Sequence, residues 1–158
     1  TILMFESRLE RRNITLEGLD SEPVQVWGDP DLIGQVIYNL FENATKFVNT
    51  GGTITFTFKD EPNNTSIAIR NTGAGISKEE LPKIFERFYK SDDSRSHDKT
   101  GLGIGLDITK HIVRLHKAQI SVSSEEGEYT EFLIRLPKKD APAESPTENP
   151  EKQPKDAR

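Results

Sequence analysis

The sequence predicts an α+β protein, a two-layer sandwich in which a mixed, mostly antiparallel sheet is covered on one face by three helices. Two observations predict this fold class. Several short segments alternate apolar and polar residues, as strands do, and other segments carry apolar residues at helical spacing. Strands and helices are interspersed along 158 residues. We expect one domain, because a chain of this length can build one substantial core.

The first half of the chain is predicted to form a short helix, two strands, a long helix and a hairpin. Asp29 followed by Pro30 marks the start of the long helix, because the carboxylate can cap the first turn and proline is tolerated at the first helical position. Pro62, Asn63 and Asn64 suit the turn of the hairpin. The predicted ranges are a helix at 1–13, strands at 14–19 and 24–26 around a turn at 20–23, a helix at 29–49, and strands at 53–59 and 65–70.

The second half is predicted to combine glycine loops, helices and a closing pair of strands. The predicted ranges are a glycine loop at 71–76, a short helix at 78–85, a polar run at 90–100, a helix from the second glycine loop to Leu115, and strands at 119–123 and 129–136. Residues 138–158 contain little besides Pro, Glu, Lys, Asp and small residues, so we expect a disordered tail there.

Composition excludes several classes of function. The net charge is −5, which argues against nucleic acid as a partner because a phosphate backbone requires a clustered basic face. The sequence has no cysteine, so disulfides and cysteine-bound metals are excluded. No apolar run in the sequence is long enough for a transmembrane helix.

The long helix carries a polar edge beside its apolar stripe. Asn39, Asn43 and Lys46 are spaced i, i+4 and i+7, so two carboxamides and an ammonium share one edge. Magnesium together with a nucleotide phosphate chain would satisfy both kinds of group. An ordinary amphipathic helix with solvated polar residues is an equally acceptable interpretation of this segment alone. The residues predicted to form the buried stripe are Val36, Ile37, Leu40, Phe41, Ala44 and Phe47.

Two glycine clusters flank the polar run. Gly73 and Gly75 follow a predicted strand, and a second cluster opens a helix with the spacing GxGxG at 101–105. A glycine-rich turn entering a helix presents unpaired N–H groups that suit phosphate oxygens, although glycines also serve turns and helix caps. A dinucleotide-binding turn is excluded, because the spacing is not GxGxxG and a polar loop, not a strand, precedes the second cluster.

Four segments together resemble the N, G1, F and G2 boxes of the histidine kinase ATP-binding domain. They are NLFENATKF, NTGAGI, FERFYK and GLGIGL, in this order and at these separations. That domain has the Bergerat ATP-binding fold, which it shares with DNA gyrase, the ninety-kilodalton heat-shock chaperones and mismatch-repair ATPases. The resemblance covers residues 14–137, which we expect to be the catalytic ATP-binding domain.

The resemblance implies a role for each motif residue. Asn43 would coordinate Mg²⁺, Lys46 would contact phosphate, and Asn39 would lie in the same network. Residues 88–100 correspond to the family's mobile lid, and Arg87 and Lys90 would supply catalytic phosphate contacts with Asn43 and Lys46. The remaining nucleotide contacts implied are Phe47, Asn71, Gly73, Gly75, Ile76, Tyr89, Gly101, Leu102, Gly103, Ile104, Gly105, Leu106 and Thr130.

Three positions depart from the family pattern. Asn71 stands where the G1 box has Asp, which accepts a hydrogen bond from the adenine amino group. The Asn carbonyl can accept the same bond, but its NH₂ group is a donor that Asp never offers. Phe47 replaces the Tyr of the N box, and Tyr129 replaces a Gly of the last strand. The sequence therefore predicts weakened discrimination between adenine and guanine.

The resemblance implies a sensor histidine kinase that transfers the γ-phosphate of ATP to a histidine on a separate dimerisation domain of the same protein. His97, His111 and His116 do not lie in the sequence context of that acceptor, so we expect it to be absent from these residues. Residues 1–13 would be the end of the linker or helix from the dimerisation domain. Further expectations are a cognate response regulator as partner, a homodimeric full-length protein, a monomeric fragment, and a cytoplasmic position in a membrane-anchored bacterial sensor.

Two related activities are weaker alternatives. A Bergerat-fold ATPase that hydrolyses ATP has a Glu four residues before the magnesium-binding Asn, where this chain has Asn39, which cannot act as a base. Glu42 is turned away around the helix and is expected to pair with Lys46. A serine kinase of the anti-sigma type shares the fold, but the FERFYK segment favours the sensor kinase.

Overall fold

The computed structural model describes residues 5–87, 89 and 105–139, which form one five-stranded sheet with helices. Its spatial order is β1-β2-β3-β5-β4. The first pair of strands is parallel, and the other neighbours are antiparallel. The strands are β1 (Thr15–Glu17), β2 (Thr53–Asp60), β3 (Asn64–Thr72), β4 (Gln119–Glu125) and β5 (Tyr129–Pro137).

Three α-helices are described: α1 (Glu6–Arg11), α2 (Pro30–Phe47) and α3 (Gly105–Leu115). The predicted cap of α2 is confirmed, because Asp29 accepts hydrogen bonds from the backbone nitrogens of Asp31 at 2.9 Å and Leu32 at 3.0 Å. At the other end, the Arg12 guanidinium donates to the carbonyl oxygens of Thr45, at 2.8 Å, and Val48. A cation at the last carbonyls of a helix compensates its unpaired acceptors and its dipole.

The core lies between the sheet and the helices. Buried residues alternate along β5 and at the start of β2, as expected for strands with one covered face, whereas β3, the central strand, is buried at five consecutive positions, 65–69. Phe41 of α2 is 1% exposed and packs against Phe56 of β2, with ring centroids 5.5 Å apart, and against Phe5 at 5.1 Å. Phe5 and Leu9 both belong to this core, so α1 and the residue before it pack on the sheet. The predicted fold class is confirmed.

Two predicted elements are wrong in type. Residues 24–26 do not pair with any described strand. β1 ends at Glu17, and Gly18, whose φ is +81°, interrupts the extended backbone directly after it. Residues 78–85 form turns and a short 3-10 helix, Leu81–Lys83, instead of an α-helix. Pro82 would fall in the second turn of that helix, where its missing N–H and its ring disrupt the backbone pattern.

Four of the six positions predicted for the buried stripe of α2 are buried, Ile37 is half-buried, and the last position is exposed. Val36, Leu40, Phe41 and Ala44 are buried, whereas Phe47 is 39% exposed. Phe47 is the last helical residue, and the backbone becomes extended at Val48, which takes the buried position at 1% exposure. Helical spacing predicts which side chains are buried only within the helix, and it fails at the residue where the helix ends.

No helix within the described ranges is both long and apolar enough to cross a membrane. Of the tail predicted at 138–158, residues 140–158 lie outside the described residues, as do residues 88 and 90–100 of the lid predicted at 88–100. Lys138 is described, and it is tied to the β2–β3 hairpin: its backbone nitrogen donates to Asn63 O at 2.9 Å, and its Nζ lies 2.7 Å from Asp60 Oδ1.

Candidate functional site

The polar edge of α2 becomes more exposed towards its C-terminal end. Asn39 is 8% exposed, and Asn43 and Lys46 are half-buried. Within the part of the chain that the structure describes, the Asn43 side chain makes no hydrogen bond. The predicted pair is confirmed, because Lys46 Nζ lies 3.7 Å from Glu42 Oε2. Asn43 therefore has an oxygen available for a cation one turn from an ammonium group.

Asn39 contrasts with Asn43 because its carboxamide is engaged. Its Oδ1 accepts from Gln35 Nε2 at 2.8 Å. Its Nδ2 donates to Gly105 O at 3.1 Å and to Thr109 Oγ1 at 3.2 Å. These bonds join α2 to the first turn of α3. The two asparagines, one turn apart on the same edge of α2, thus have different surroundings.

The end of β3 lies against the C-terminal end of α2. Val48 forms an isolated bridge with Gly73, and Asn49 N donates to Thr72 O at 3.3 Å. A Cβ at Gly73, whose φ is +153°, would come within 3.0 Å of the Phe47 carbonyl oxygen. The glycine is therefore required for the approach of the protein's own backbone. This contact brings Phe47, Asn71 and Gly73, all predicted site residues, to one end of the sheet.

A polar row crosses three strands at this end of the covered face. Asn71 of β3 is opposite Thr130 of β5, which is opposite Ser124 of β4. Asn71 is 3% exposed and Thr130 is 4% exposed. Ser124 Oγ lies 3.0 Å from Thr130 Oγ1 and accepts from Ile76 N at 2.8 Å. The next two rows along this face are apolar: Ile69, Phe132 and Val122, and then Ile67, Ile134 and Ile120.

Ser124 was missed by the sequence analysis. It connects Thr130 to the G1 segment through Ile76, and it also donates to Tyr129 O at 2.6 Å. Its position follows from the β4–β5 register, which the turn at residues 126–128 sets. Counting back from Gly127 would have placed Ser124 opposite Thr130, but the hydroxyl has no motif of its own.

Gly75 packs on the β4–β5 turn. Its φ is +72°, and a Cβ there would come within 3.0 Å of the Glu125 carbonyl oxygen. Gly127 N donates to Ala74 O at 2.7 Å, and Gly73 N donates to Glu128 O at 3.1 Å. At this position too, the close approach is made by the protein's own backbone, and it supports the end of the sheet that carries the polar row.

The remaining predicted residues are only partly described. Gly105 and Leu106 begin α3, Arg87 is exposed, and Tyr89 Oη donates to Glu80 Oε1 at 3.2 Å. The positions that lie outside the described residues are Lys90, Gly101, Leu102, Gly103 and Ile104.

The ring nitrogens of the two described histidines contact other groups of the protein. His111 Nδ1 lies 2.9 Å from Asp107 O and 3.3 Å from Asp107 Oδ1 on an exposed face of α3. His116 is half-buried: its Nδ1 lies 2.8 Å from Ile112 O, and its Nε2 accepts from Asp29 N at 3.1 Å. His116 therefore links the end of α3 to the start of α2. His97 lies outside the described residues.

The polar edge of α2 suits a cation that is bound partly by the protein and partly by a ligand. Among residues 5–87, 89 and 105–139, no group of three His, Cys, Asp or Glu side chains is placed to hold a metal. Mg²⁺ commonly takes one or two protein oxygens and completes its shell with water and substrate phosphates. The uncommitted carboxamide of Asn43, beside Lys46, fits that arrangement.

Comparison with known proteins agrees with this geometry. Residues 28–140 match the family described as histidine kinase-, DNA gyrase B- and HSP90-like ATPase. The sensor protein SrrB of Staphylococcus aureus is 41% identical over 115 residues, which cover 72% of this chain and 20% of SrrB. The catalytic domain of histidine kinase ThkA superposes with a TM-score of 0.71 at 28% identity, covering 85% of this chain and 86% of that one. ThkA in complex with response regulator TrrA gives a TM-score of 0.68 at 26% identity, covering 85% of this chain and 37% of that one.

The chain therefore belongs to the histidine kinase-, DNA gyrase B- and HSP90-like ATPase family, whose domains bind ATP. Within that family it is homologous to the catalytic domains of sensor histidine kinases, which confirms the resemblance found in the four motifs. The chain spans about a fifth of the length of the curated relatives that it matches.

Proposed function

We propose that this chain binds ATP with Mg²⁺ and transfers the γ-phosphate to a histidine on a separate dimerisation domain. The observation that carries the proposal is the state of Asn43. A half-buried carboxamide without a hydrogen-bond partner among the described residues lies one turn from Lys46, on an edge where Asn39 is fully engaged. This carboxamide is open to a ligand, and an amide oxygen is among the protein groups that bind Mg²⁺.

Asn43 and Lys46 neutralise charge in this proposal. The Asn43 Oδ1 atom offers a ligand to Mg²⁺, and the Lys46 ammonium, beside Glu42, offers a phosphate contact. Phosphoryl transfer depends on positioning and on neutralisation of negative charge, which the metal supplies when bound. Hydrolysis is not favoured, because Asn39 occupies the position of a general base and its carboxamide is engaged with Gln35 and α3. Arg87 and Lys90 would add phosphate contacts.

The polar row would receive the base. Asn71 Nδ2 donates to Thr72 O at 3.1 Å, and no donor among the described residues approaches Asn71 Oδ1. The carbonyl oxygen can therefore accept a bond from the adenine amino group, and Thr130, supported by Ser124, would complete the pocket. The other contacts proposed around the nucleotide are Phe47, Gly73, Gly75, Ile76, Tyr89, Gly101, Leu102, Gly103, Ile104, Gly105 and Leu106.

The proposed partners follow from the relatives. ThkA has been solved with a response regulator, and we assign this protein a partner of the same class. The acceptor histidine would lie in a dimerisation domain of the same protein, with residues 1–13 leading from it, residues 14–137 as the catalytic domain and residues 138–158 as a tail. The full-length protein would be a homodimer and a membrane-anchored sensor with this domain in the cytoplasm.

Transfer to an added acceptor tests the proposed function. The chain is mixed with Mg²⁺, γ-labelled ATP and the purified dimerisation domain of the same protein. We expect acid-labile label on the added domain and none in a reaction that lacks this chain. Unlabelled acceptor with intact ATP binding would overturn the transferase proposal, and release of free phosphate at a comparable rate without acceptor would favour an ATPase.

A further inference from the structure

The Asn39 carboxamide has no donor left for a ligand. A carboxamide has two N–H donors, and those of Asn39 go to Gly105 O at 3.1 Å and Thr109 Oγ1 at 3.2 Å. Its carbonyl oxygen accepts from Gln35 Nε2 at 2.8 Å. The residue is 8% exposed. Both N–H donors of this side chain are thus used within the protein, and its oxygen already has a partner.

The two acceptors on α3 are one helical turn apart. Gly105 is the first residue of the helix, and Thr109 follows it at i+4, so both lie on the face turned towards α2. Thr109 is 0% exposed. One hydrogen bond would allow α3 to rotate or slide about the contact, whereas two bonds a turn apart restrain both movements. Gln35 in turn holds the Asn39 amide in the orientation that this requires.

We propose that Asn39 is a positioning residue, which acts with Gln35 and Thr109 to hold the first turn of α3 against α2 and does not itself touch the nucleotide or its metal. The proposal rests on the proposed function, since the residues so placed, Gly105 and Leu106, begin the helix that would meet the phosphates. Asn39 and Asn43 then have different roles, although they lie on the same edge of α2. The first orients α3, and the second is left for the ligand.

A double-mutant cycle separates positioning from direct contact. ADP affinity of the 158-residue chain is measured by calorimetry with and without Mg²⁺ for Asn39→Ala, Thr109→Val and the double variant. Thr109 is buried, so Thr109→Val removes an acceptor of Asn39 without removing a ligand contact. We expect each single variant to weaken ADP binding by about tenfold, and the double variant to be no weaker than the singles. The loss should be the same with and without Mg²⁺.

A conservative variant and a matched control accompany the cycle. Thr109→Ser keeps the hydroxyl and should restore ADP affinity to within about twofold of the parent chain. Thr65→Val removes another buried threonine hydroxyl, which donates to Gln25 O at 2.7 Å at the opposite end of β3. It should lower the unfolding temperature without lowering ADP affinity. If Asn39→Ala does not fold, the Thr109→Val and Thr109→Ser pair decides the question.

Hydrogen exchange of α3 tests the positioning role without nucleotide. Amides that follow the first turn of α3 should exchange faster in both Asn39→Ala and Thr109→Val than in Thr65→Val. Three results would overturn the proposal in favour of a direct ligand role for Asn39. They are additive losses of ADP affinity in the double variant, a loss in Asn39→Ala alone, and a loss that appears only with Mg²⁺. If the parent chain does not bind ADP, the proposed function fails, and unchanged exchange in α3 would overturn the positioning role separately.

Discussion

The Nδ2 atom of Asn71 lies 3.1 Å from the carbonyl oxygen of Thr72, the next residue of β3. A carboxamide that donates to this carbonyl keeps its own oxygen on the other side, where no donor among the described residues meets it. Rotation of the amide would bring two acceptor oxygens together. The fold therefore restrains a side chain that could otherwise offer either a donor or an acceptor.

Asn71→Asp tests whether this restraint operates. From sequence alone, the change should raise the preference for adenine over guanine nucleotides. Because Thr72 already orients the Asn71 oxygen as an acceptor, we now expect the ratio of ADP to GDP affinity to change by less than about threefold. The carboxylate cannot donate to Thr72 O, so the free energy of unfolding should fall by about 1–3 kcal/mol.

Competition binding with ADP and GDP and denaturant unfolding measure the two effects of Asn71→Asp. A rise in adenine preference of about tenfold or more would show that the Asn71 amide rotates freely, as the sequence alone implies. Thr130→Val is a useful comparison, because it removes a hydroxyl of the same polar row without altering the Asn71–Thr72 contact.

Asn43→Ala should weaken ADP binding in the presence of Mg²⁺ by on the order of tenfold and have little effect without the metal. The Asn43 side chain makes no hydrogen bond within the described residues, so the unfolding temperature should be nearly unchanged. Asn43→Asp keeps the shape and adds a charge, so it should alter mainly the metal-dependent part. Titrations with and without Mg²⁺ decide the matter, and equal Mg-ADP affinity of the parent and Asn43→Ala would refute the metal assignment.

Gly75→Ala should destabilise the fold by about 2 kcal/mol or more, because the residue has φ +72° and its new Cβ would meet the Glu125 carbonyl. Gly51→Ala is a matched control. It has the same φ of +72°, but nothing lies within 4 Å of its Cβ, so only the conformational part, about 1–2 kcal/mol, should be lost. Denaturant unfolding measures the difference. Equal losses in the two variants would mean that Glu125 and the turn at 126–128 move away at little cost.

The chain alone should not label itself with γ-phosphate and should be monomeric in solution. The acceptor histidine and the dimerising helices are proposed to lie in a separate domain, and the described histidines are engaged with Asp107, Ile112 and Asp29. Incubation with labelled ATP, followed by sedimentation analysis, checks both points. Stable label at His97, His111 or His116 would show that the acceptor has been misassigned.

The sequence by itself determined the class of fold and the family. Local signals were sufficient for this: the Asp29 cap, the apolar stripe of α2 and the alternation in β2, β3 and β5 each depend on neighbours within a few residues. The four motifs indicated the family in the same way, because each is a continuous segment. Local signals were not sufficient at 24–26, where alternation describes an extended backbone but cannot say whether a partner strand is present.

The tertiary structure decided which hydrogen-bond partners each polar group of the candidate site has. Asn39 and Asn43 are the same residue type, one turn apart on the same edge of α2. The packing of α3 against α2 gives Asn39 two hydrogen bonds beyond the one from Gln35 of its own helix, whereas Asn43 makes none within the described residues. Ser124 joined the polar row only through the pairing of β4 with β5. Helical and strand periodicity set the direction in which a side chain leaves its own element. The groups it meets there belong to segments distant in sequence, 66 residues away for the bond from Asn39 to Gly105, and their position depends on how the elements pack.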